Sequence, residues 1–324
     1  MKKLRLLLVL GLFLQAAGVQ AQSYPARPVK ILIPFAAGGN TDQFARNLAD
    51  KLQKYMPGAK LVPENRVGAS GTLAASEVAK ALPDGYTMLI GRVTPVLIQP
   101  SINSRLTYRF SDFTVLGILE IDPMICVVKN DSPYQTARDL MLAIRKHPGQ
   151  LKYATVGAGS INDLAIQYWL NLSGLKPGAA LPLSYDGDVD INIAMNTGKV
   201  QFFCGVAAGL LPKIHSGAYR ALFTTAPGRL PELPELRNAS EVGLRDMGKV
   251  TAWTAILGPR GMSPALVKYW KDALAEVGKD PDWISQTTRK GGQPALNAIR
   301  DPEKFMQDQY NLYEQLIATL ELKK

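Results

Sequence analysis

Three stretches of the chain carry residues suited to holding a small anion. They are Ala36-Ala37-Gly38-Gly39-Asn40-Thr41-Asp42, Val156-Gly157-Ala158-Gly159-Ser160-Ile161-Asn162 and Tyr185-Asp186-Gly187-Asp188. Each follows an apolar run and precedes a helical pattern. Such a loop presents unpaired backbone N–H groups at the positive end of a helix dipole, which favours an anion. Gly38 and Gly39 would let the backbone approach a ligand closely. Asn40 with Gln43 three residues on also has the form of a capping box, so the first stretch reads equally as a turn that any α/β chain needs. Its recurrence in the second half of the chain favours a ligand role.

Other chemistries fit poorly. No Lys-Ser or Lys-Thr follows Gly38-Gly39, and neither glycine loop reads G-x-G-x-x-G, so a nucleotide phosphate cradle is not expected. Asp42, in the first helical turn, would repel a phosphate dianion and reads instead as a residue that orders the loop. Gly68-Ala69-Ser70-Gly71-Thr72 breaks the nucleophile elbow G-x-S-x-G at its last position. His147 and His215, the two histidines, fall at helix ends near Pro148 and Gly217. With no H-E-x-x-H and no Cys/His cluster, neither a metal nor a cofactor is expected, and the chain is not read as an enzyme. Asp186, Asp188 and Asp190 are spaced like the start of a calcium loop but lack its glutamate, and Asp188 reads as a helix cap. Arg92 follows Gly91 in Gly91-Arg92-Val93-Thr94-Pro95. It could meet a carboxylate bidentately, or be a surface arginine after a strand. Trp169, Trp253 and Tyr168 read as core or hinge residues rather than a ligand face.

The elements that must position these loops alternate. VKILIPF, KLVPEN and YTMLIG read as strands, with helices over TDQFARNLADKLQKYM and TLAASEVAKAL between them. MICVVK, LKYATV, ALPLSY, VQFFCGV and YRALFTT continue the strand pattern, with helices over TARDLMLAIRKH, NDLAIQYWLNL and DINIAMNTG. Parallel strands need helical crossovers, so two α/β units are expected. The C-terminal helices ALVKYWKDALAEV and PEKFMQDQYNLYEQLIATL need a sheet to cover. The chain is therefore expected to cross twice between units, near FTVLGILEIDP and VTAWTAILGP. Lobe 1 would comprise residues 22–122 and 253–324, lobe 2 residues 123–252, with the cleft between them. Ligands of open α/β sheets bind beyond the carboxyl ends of the strands.

At the N-terminus, Lys2, Lys3 and Arg5 precede the apolar run 6–14, and Val19-Gln20-Ala21 has the small residues a signal peptidase reads. Residues 1–21 are thus expected to be an export signal, cleaved near Ala21 to leave a soluble mature protein. Without those three cations the formal charge falls from +10 to +7. The remaining Lys and Arg are scattered, with no nucleic-acid-reading pattern, and a diffuse positive field favours anionic small molecules. Cys126 and Cys204 sit in apolar runs and read as buried thiols, a disulfide remaining open in an oxidising compartment.

The segments YPARPVKILIPFAAGGNTDQFAR, PENRVGASGT, AKALPDGYTMLIG and ELPELRNASEVGL resemble the Bug-type substrate-binding receptors of tripartite tricarboxylate transporters, over essentially the whole chain after residue 24. The resemblance implies an α/β, two-lobed periplasmic-binding-protein fold (Venus-flytrap, type II-like), two Rossmann-like lobes joined by crossing strands. It implies a periplasmic, monomeric receptor that closes on a small carboxylate, often a dicarboxylate, and delivers it to the membrane subunits of the transporter. A carboxylate sensor serving a signalling partner is the alternative, and an enzyme on the same scaffold a remoter one. The ligand set expected is Phe35, Ala36, Gly38, Gly39, Asn40 and Thr41 from the first loop, which the resemblance implies, and Arg92 and Thr94 after the third strand, read from the residues themselves. Gly157, Gly159, Ser160, Asn162, Tyr185 and Asp186 would join them from lobe 2. Asp163, Arg92 and Cys204 depart from the usual residues at positions expected to face the cleft. Arg92 would suit a second carboxylate on a longer or aromatic acid.

Overall fold

The computed structural model describes residues 24–322, so the leader expected over residues 1–21 lies outside the described residues. Strand β1 (Val29–Ile33) is a β-branched run buried at all positions but Lys30. It feeds α1 (Asn40–Tyr55), whose Phe44, Ala45, Leu48, Ala49 and Leu52 recur at helical spacing and bury one face. After β2 (Leu61–Asn65), α2 (Thr72–Ala79) and β3 (Thr87–Arg92), β1 lies between β2 and β3 with both pairings parallel. A π-helical turn over Thr94–Ile98 and the short helix α3 (Gln99–Ile102) lead to β4 (Phe113–Lys129), 17 residues long.

The second series is α4 (Ala137–Lys146), β5 (Lys152–Thr155), α5 (Ile161–Leu172), β6 (Leu181–Ser184), α6 (Asp188–Asn196), β7 (Phe202–Val206), α7 (Ala207–His215) and β8 (Tyr219–Thr224). Here β5 pairs parallel with β6 and β7. Strand β9 (Thr251–Pro259) returns antiparallel between β3 and β4, and α8 (Pro264–Val277), α9 (Pro281–Arg289), β10 (Gln293–Pro294) and α10 (Pro302–Thr319) finish the chain. The strand order is β2-β1-β3-β9-β4-β7-β5-β6, with β8 and β10 also on β4. The first part of β4 pairs with β9 and its last part, Met124–Lys129, with β7 and β8, so one long strand belongs to both lobes of an α/β fold. The two crossings read from the sequence fall on β4 and β9.

Four local expectations are corrected. Cys126 and Cys204 are not thiols: they stand directly opposite each other on β4 and β7 and form a disulfide. Asn40 does not cap α1. Gly39 is the cap and makes no side-chain cap bond, and Gln43 instead donates to the Gly38 carbonyl at 3.0 Å. Asp188 is the first residue of α6, Gly187 being its cap. Helix α7 was unforeseen, because Gly209 and Pro212 interrupt its apolar pattern. Trp169 and Trp253 are fully buried, and Trp169 meets Phe202 and Phe223 edge-on in a cluster that draws residues from both lobes.

Candidate ligand-binding cleft

The loops leaving the carboxyl ends of β1, β3, β5, β6 and β7 converge on one cavity of about 110 Å³. On the first lobe its wall is Phe35, Ala36, Ala37, Gly39, Asn40 and Thr41, with Arg92, Val93 and Thr94 from the end of β3. On the second lobe it is Val156, Ile161 and Asn162, the run Asp186 to Asp190, and Val206; Ala252 of β9 also lines it.

The first loop is braced from behind. Asp42 is buried, and its carboxylate accepts from the Gly38 N–H at 3.0 Å, from Arg46 at 2.8 Å and from the Asn65 amide at 2.9 Å. Asn65 also donates to the Phe35 carbonyl at 2.9 Å. Burial alone would raise the Asp42 pKa, but those donors outweigh it and hold the carboxyl below its ordinary range. Asp42 thus orders the loop, and Gly38 spends its N–H on it rather than facing the cavity. The first N–H groups of α1 have no acceptor within the helix, and with Gly39, Asn40 and Thr41 on the cavity wall they form a donor edge.

The second glycine loop is placed differently from its sequence reading. Gly157, Gly159, Ser160 and Tyr185 do not line the cavity. The loop is spent on contacts between the lobes. Gln99 donates to the carbonyls of Ala158 and Gly159 at 3.0 and 3.1 Å, and the first N–H of α5, on Ile161, donates to Thr94 Oγ1 at 3.0 Å. Gly159 has φ +65°, and a side chain there would run into Ile102 of α3. The Ser160 hydroxyl is shared with Thr155 at 2.6 Å and caps α5 at Asp163 N. Tyr185 packs against the apolar cluster beneath α6 and α7. Nor do Asp163 and Cys204 face the cleft. Asp163 accepts from Tyr153 at 2.6 Å and from Gly159 N at 2.7 Å, and Cys204 is fully buried in its disulfide.

Arg92 lines the cavity yet is 8% exposed, so it is no surface arginine. Its guanidinium donates to Asp122 Oδ2 at 3.2 Å and to Thr254 Oγ1, and lies 3.7 Å from Glu120 Oε1. Thr254 in turn donates to Glu120 at 2.8 Å. Burial, then the neighbouring Asp122 charge, push the Glu120 carboxyl well above its usual range beside the Arg92–Asp122 pair. The sequence did not single out Glu120 or Asp122. They sit among apolar residues of β4, and only the cross-strand register brings them to Arg92.

Sequence reasoning also passed over Asp188 and Asp190 as cleft residues. The Asp188 carboxylate faces the Asn40 backbone N–H and the Arg92 cation across the cleft. Burial raises its pKa, and those two partners pull against the rise. The Asp-x-Asp-x-Asp spacing was the available signal, since aspartates beyond a strand end must face either solvent or the cleft.

Comparison with known proteins agrees with this architecture. Residues 44–322 match the model of the tripartite tricarboxylate transporter family receptor. Protein BugT of Bordetella pertussis is 27% identical over 316 residues, 95% of each chain. MatC of Rhodopseudomonas palustris, solved with bound malate, superposes with a TM-score of 0.84 at 26% identity, over 91% of this chain and 100% of that one. An R. palustris protein solved with adipate gives 0.81 at 25% identity, over 92% and 98%. The family model spans most of the chain, the solved relatives share its two-lobed fold, and the chain belongs to the tripartite tricarboxylate transporter receptor family.

Proposed function

We propose that the protein is an exported solute receptor that captures a small carboxylate between its lobes and delivers it to the membrane subunits of a tripartite transporter. The lobes are residues 22–122 with 253–324, and residues 123–252, and the leader is cleaved near Ala21 for release to the periplasm. One observation carries the reading: the open N-terminus of α1 faces the cavity on a loop held rigid by Asp42 and Asn65. A carboxylate seated there meets backbone donors fixed by the helix start and a favourable helix dipole, once the Asp188 carboxylate that faces the Asn40 N–H turns aside. Relatives of the same fold were solved with malate and with adipate, which supports this ligand class.

Calorimetry against mono-, di- and tricarboxylates and amino acids tests it, with Asn40→Pro as the diagnostic variant. Proline is tolerated at the first helical position, and Gly39 already has the extended backbone (φ −74°, ψ 170°) that a following proline requires. The substitution removes one N–H and leaves the helix. Affinity for the best acid should fall about tenfold or more, since hydrogen bonds to charged groups contribute about 1.5–3 kcal/mol. Asn40→Ala, which keeps the N–H, should lose much less. Equal affinities in both variants would rule out the α1 seat.

A further inference from the structure

The second glycine loop is gripped almost residue by residue from the first lobe. Gln99, on α3 and buried, gives both bonds of its Nε2 to the Ala158 and Gly159 carbonyls. Thr94 Oγ1 accepts from the Ile161 N–H at 3.0 Å. Ser70 Oγ lies 3.4 Å from the Val156 carbonyl, and it fills the space that a side chain at Gly157 would need. Ile102 fills the corresponding space at Gly159. Both glycines have positive φ, +123° and +65°, so the loop is shaped to receive these first-lobe side chains closely.

The turn that carries Ser70 supplies an independent observation. Gly68, Ala69, Ser70 and Gly71 have φ of +139°, +48°, +56° and +86°. In the left-handed region the Cβ atoms of Ala69 and Ser70 crowd their own backbone. The turn is fixed on the first lobe. The Gly71 N–H donates to the Gly68 carbonyl at 2.9 Å, Thr72 Oγ1 donates to the Ala69 carbonyl at 2.9 Å, and Gly71 sits tightly against Pro34 and Pro95. None of its residues lines the ligand cavity. What the strained backbone achieves is the presentation of Ser70 to the other lobe.

Thr94, Val156 and Ile161 take part in these contacts and also line the cavity. A ligand held between the lobes leaves when those walls part, and parting them breaks the contacts of Ser70 and Gln99 as well. We infer that Ser70 and Gln99 are positioning residues for capture: they latch the second glycine loop as the lobes close, and they set how long a ligand stays without touching it. The latch presupposes the carboxylate-receptor reading and adds to it a role for residues outside the ligand cavity. It stabilises the closed form alone, so its loss should appear in dissociation and not in association, which begins with the lobes apart.

Stopped-flow binding by the purified protein tests this, with malate, adipate, aspartate and glutamate as probes. Gln99→Met loses the donor and keeps an unbranched side chain. It should release a bound probe about tenfold faster, with association within about twofold of the parent. Ser70→Ala loses the hydroxyl and should hasten release about threefold. Ser70→Gly should hasten release as much, yet melt about 2 °C above the parent, because glycine relieves the left-handed strain. A serine with only a structural part would not join a more stable fold to faster release. Ser70 is half-buried, so its two variants decide if melting curves show that Gln99→Met does not fold. Release unchanged in the Ser70 variants, or in folded Gln99→Met, would overturn the latch and leave the receptor reading standing. So would faster release by a Ser70→Gly protein that melts below the parent. Binding of none of the probes overturns both.

Discussion

At the scale of the residue, the group that most needs explanation is the buried trio of Arg92, Asp122 and Glu120. One guanidinium cannot neutralise two buried carboxylates, and burial together with the Asp122 charge pushes the Glu120 pKa well above its usual range. The consequence for stability has a definite sign. The Glu120 pKa is raised above its unfolded value of about 4.3, so the folded state holds the proton more tightly. That contribution is fully present below the unfolded pKa and is lost as pH rises through the folded one. Glu120→Gln, a neutral isostere, should remove this part of the pH dependence and leave stability at neutral pH within about 1 kcal/mol. Asp122→Asn should behave differently, costing about 3–5 kcal/mol by leaving Arg92 buried without its closest counter-charge. Denaturant titrations across pH check both, and a Glu120→Gln protein with an unaltered pH profile would show that Glu120 is ionised.

At the scale of the element, glycine loops at strand ends were legible because turn chemistry is local. Asp42 could be read as a loop-ordering residue because its partners Gly38 and Arg46 lie within four positions of it. The use of the second loop was not legible. Nothing near residues 156–161 shows that Gln99 and Thr94 will consume its carbonyls and its first helical N–H. Helix α7 escaped notice for the reason already given, and its stability comes from Ala207, Leu210 and Leu211 packing into the apolar cluster of the second lobe rather than from propensity. The β4–β7 pair carries the disulfide, which closes a span of 78 residues. Replacing both cysteines by alanine should lower the unfolding free energy by about 2–4 kcal/mol, from the freedom returned to the unfolded chain. Guanidinium titrations of the double variant against the parent measure this, and coincident curves would refute it.

At the scale of the whole molecule, the lobes are not independent folding units. Strand β4 pairs in both, and one apolar cluster includes Leu32 and Leu89 of the first lobe with Trp169, Phe202 and Phe223 of the second. The protein should therefore unfold in a single calorimetric transition, despite being long enough for two domains. A ligand present at a hundred times its dissociation constant should raise the stability of that one transition by about 2.7 kcal/mol. Two resolved transitions, only one of them moved by ligand, would overturn this.

By itself, the sequence determined the order of β1 to β9 and of every long helix except α7 and α9, and it marked the glycine turn that opens α1. All of these follow from periodicity and turn residues within a short window, which is where backbone geometry is set. The tertiary structure alone decided which loops face the cavity and which are spent holding the lobes together. It also decided that Arg92 is already paired and that the cysteines meet. Those outcomes join residues 30 to 162 positions apart. Contacts at that range depend on strand register and on the packing of one lobe against the other, and neither leaves a local mark on the chain.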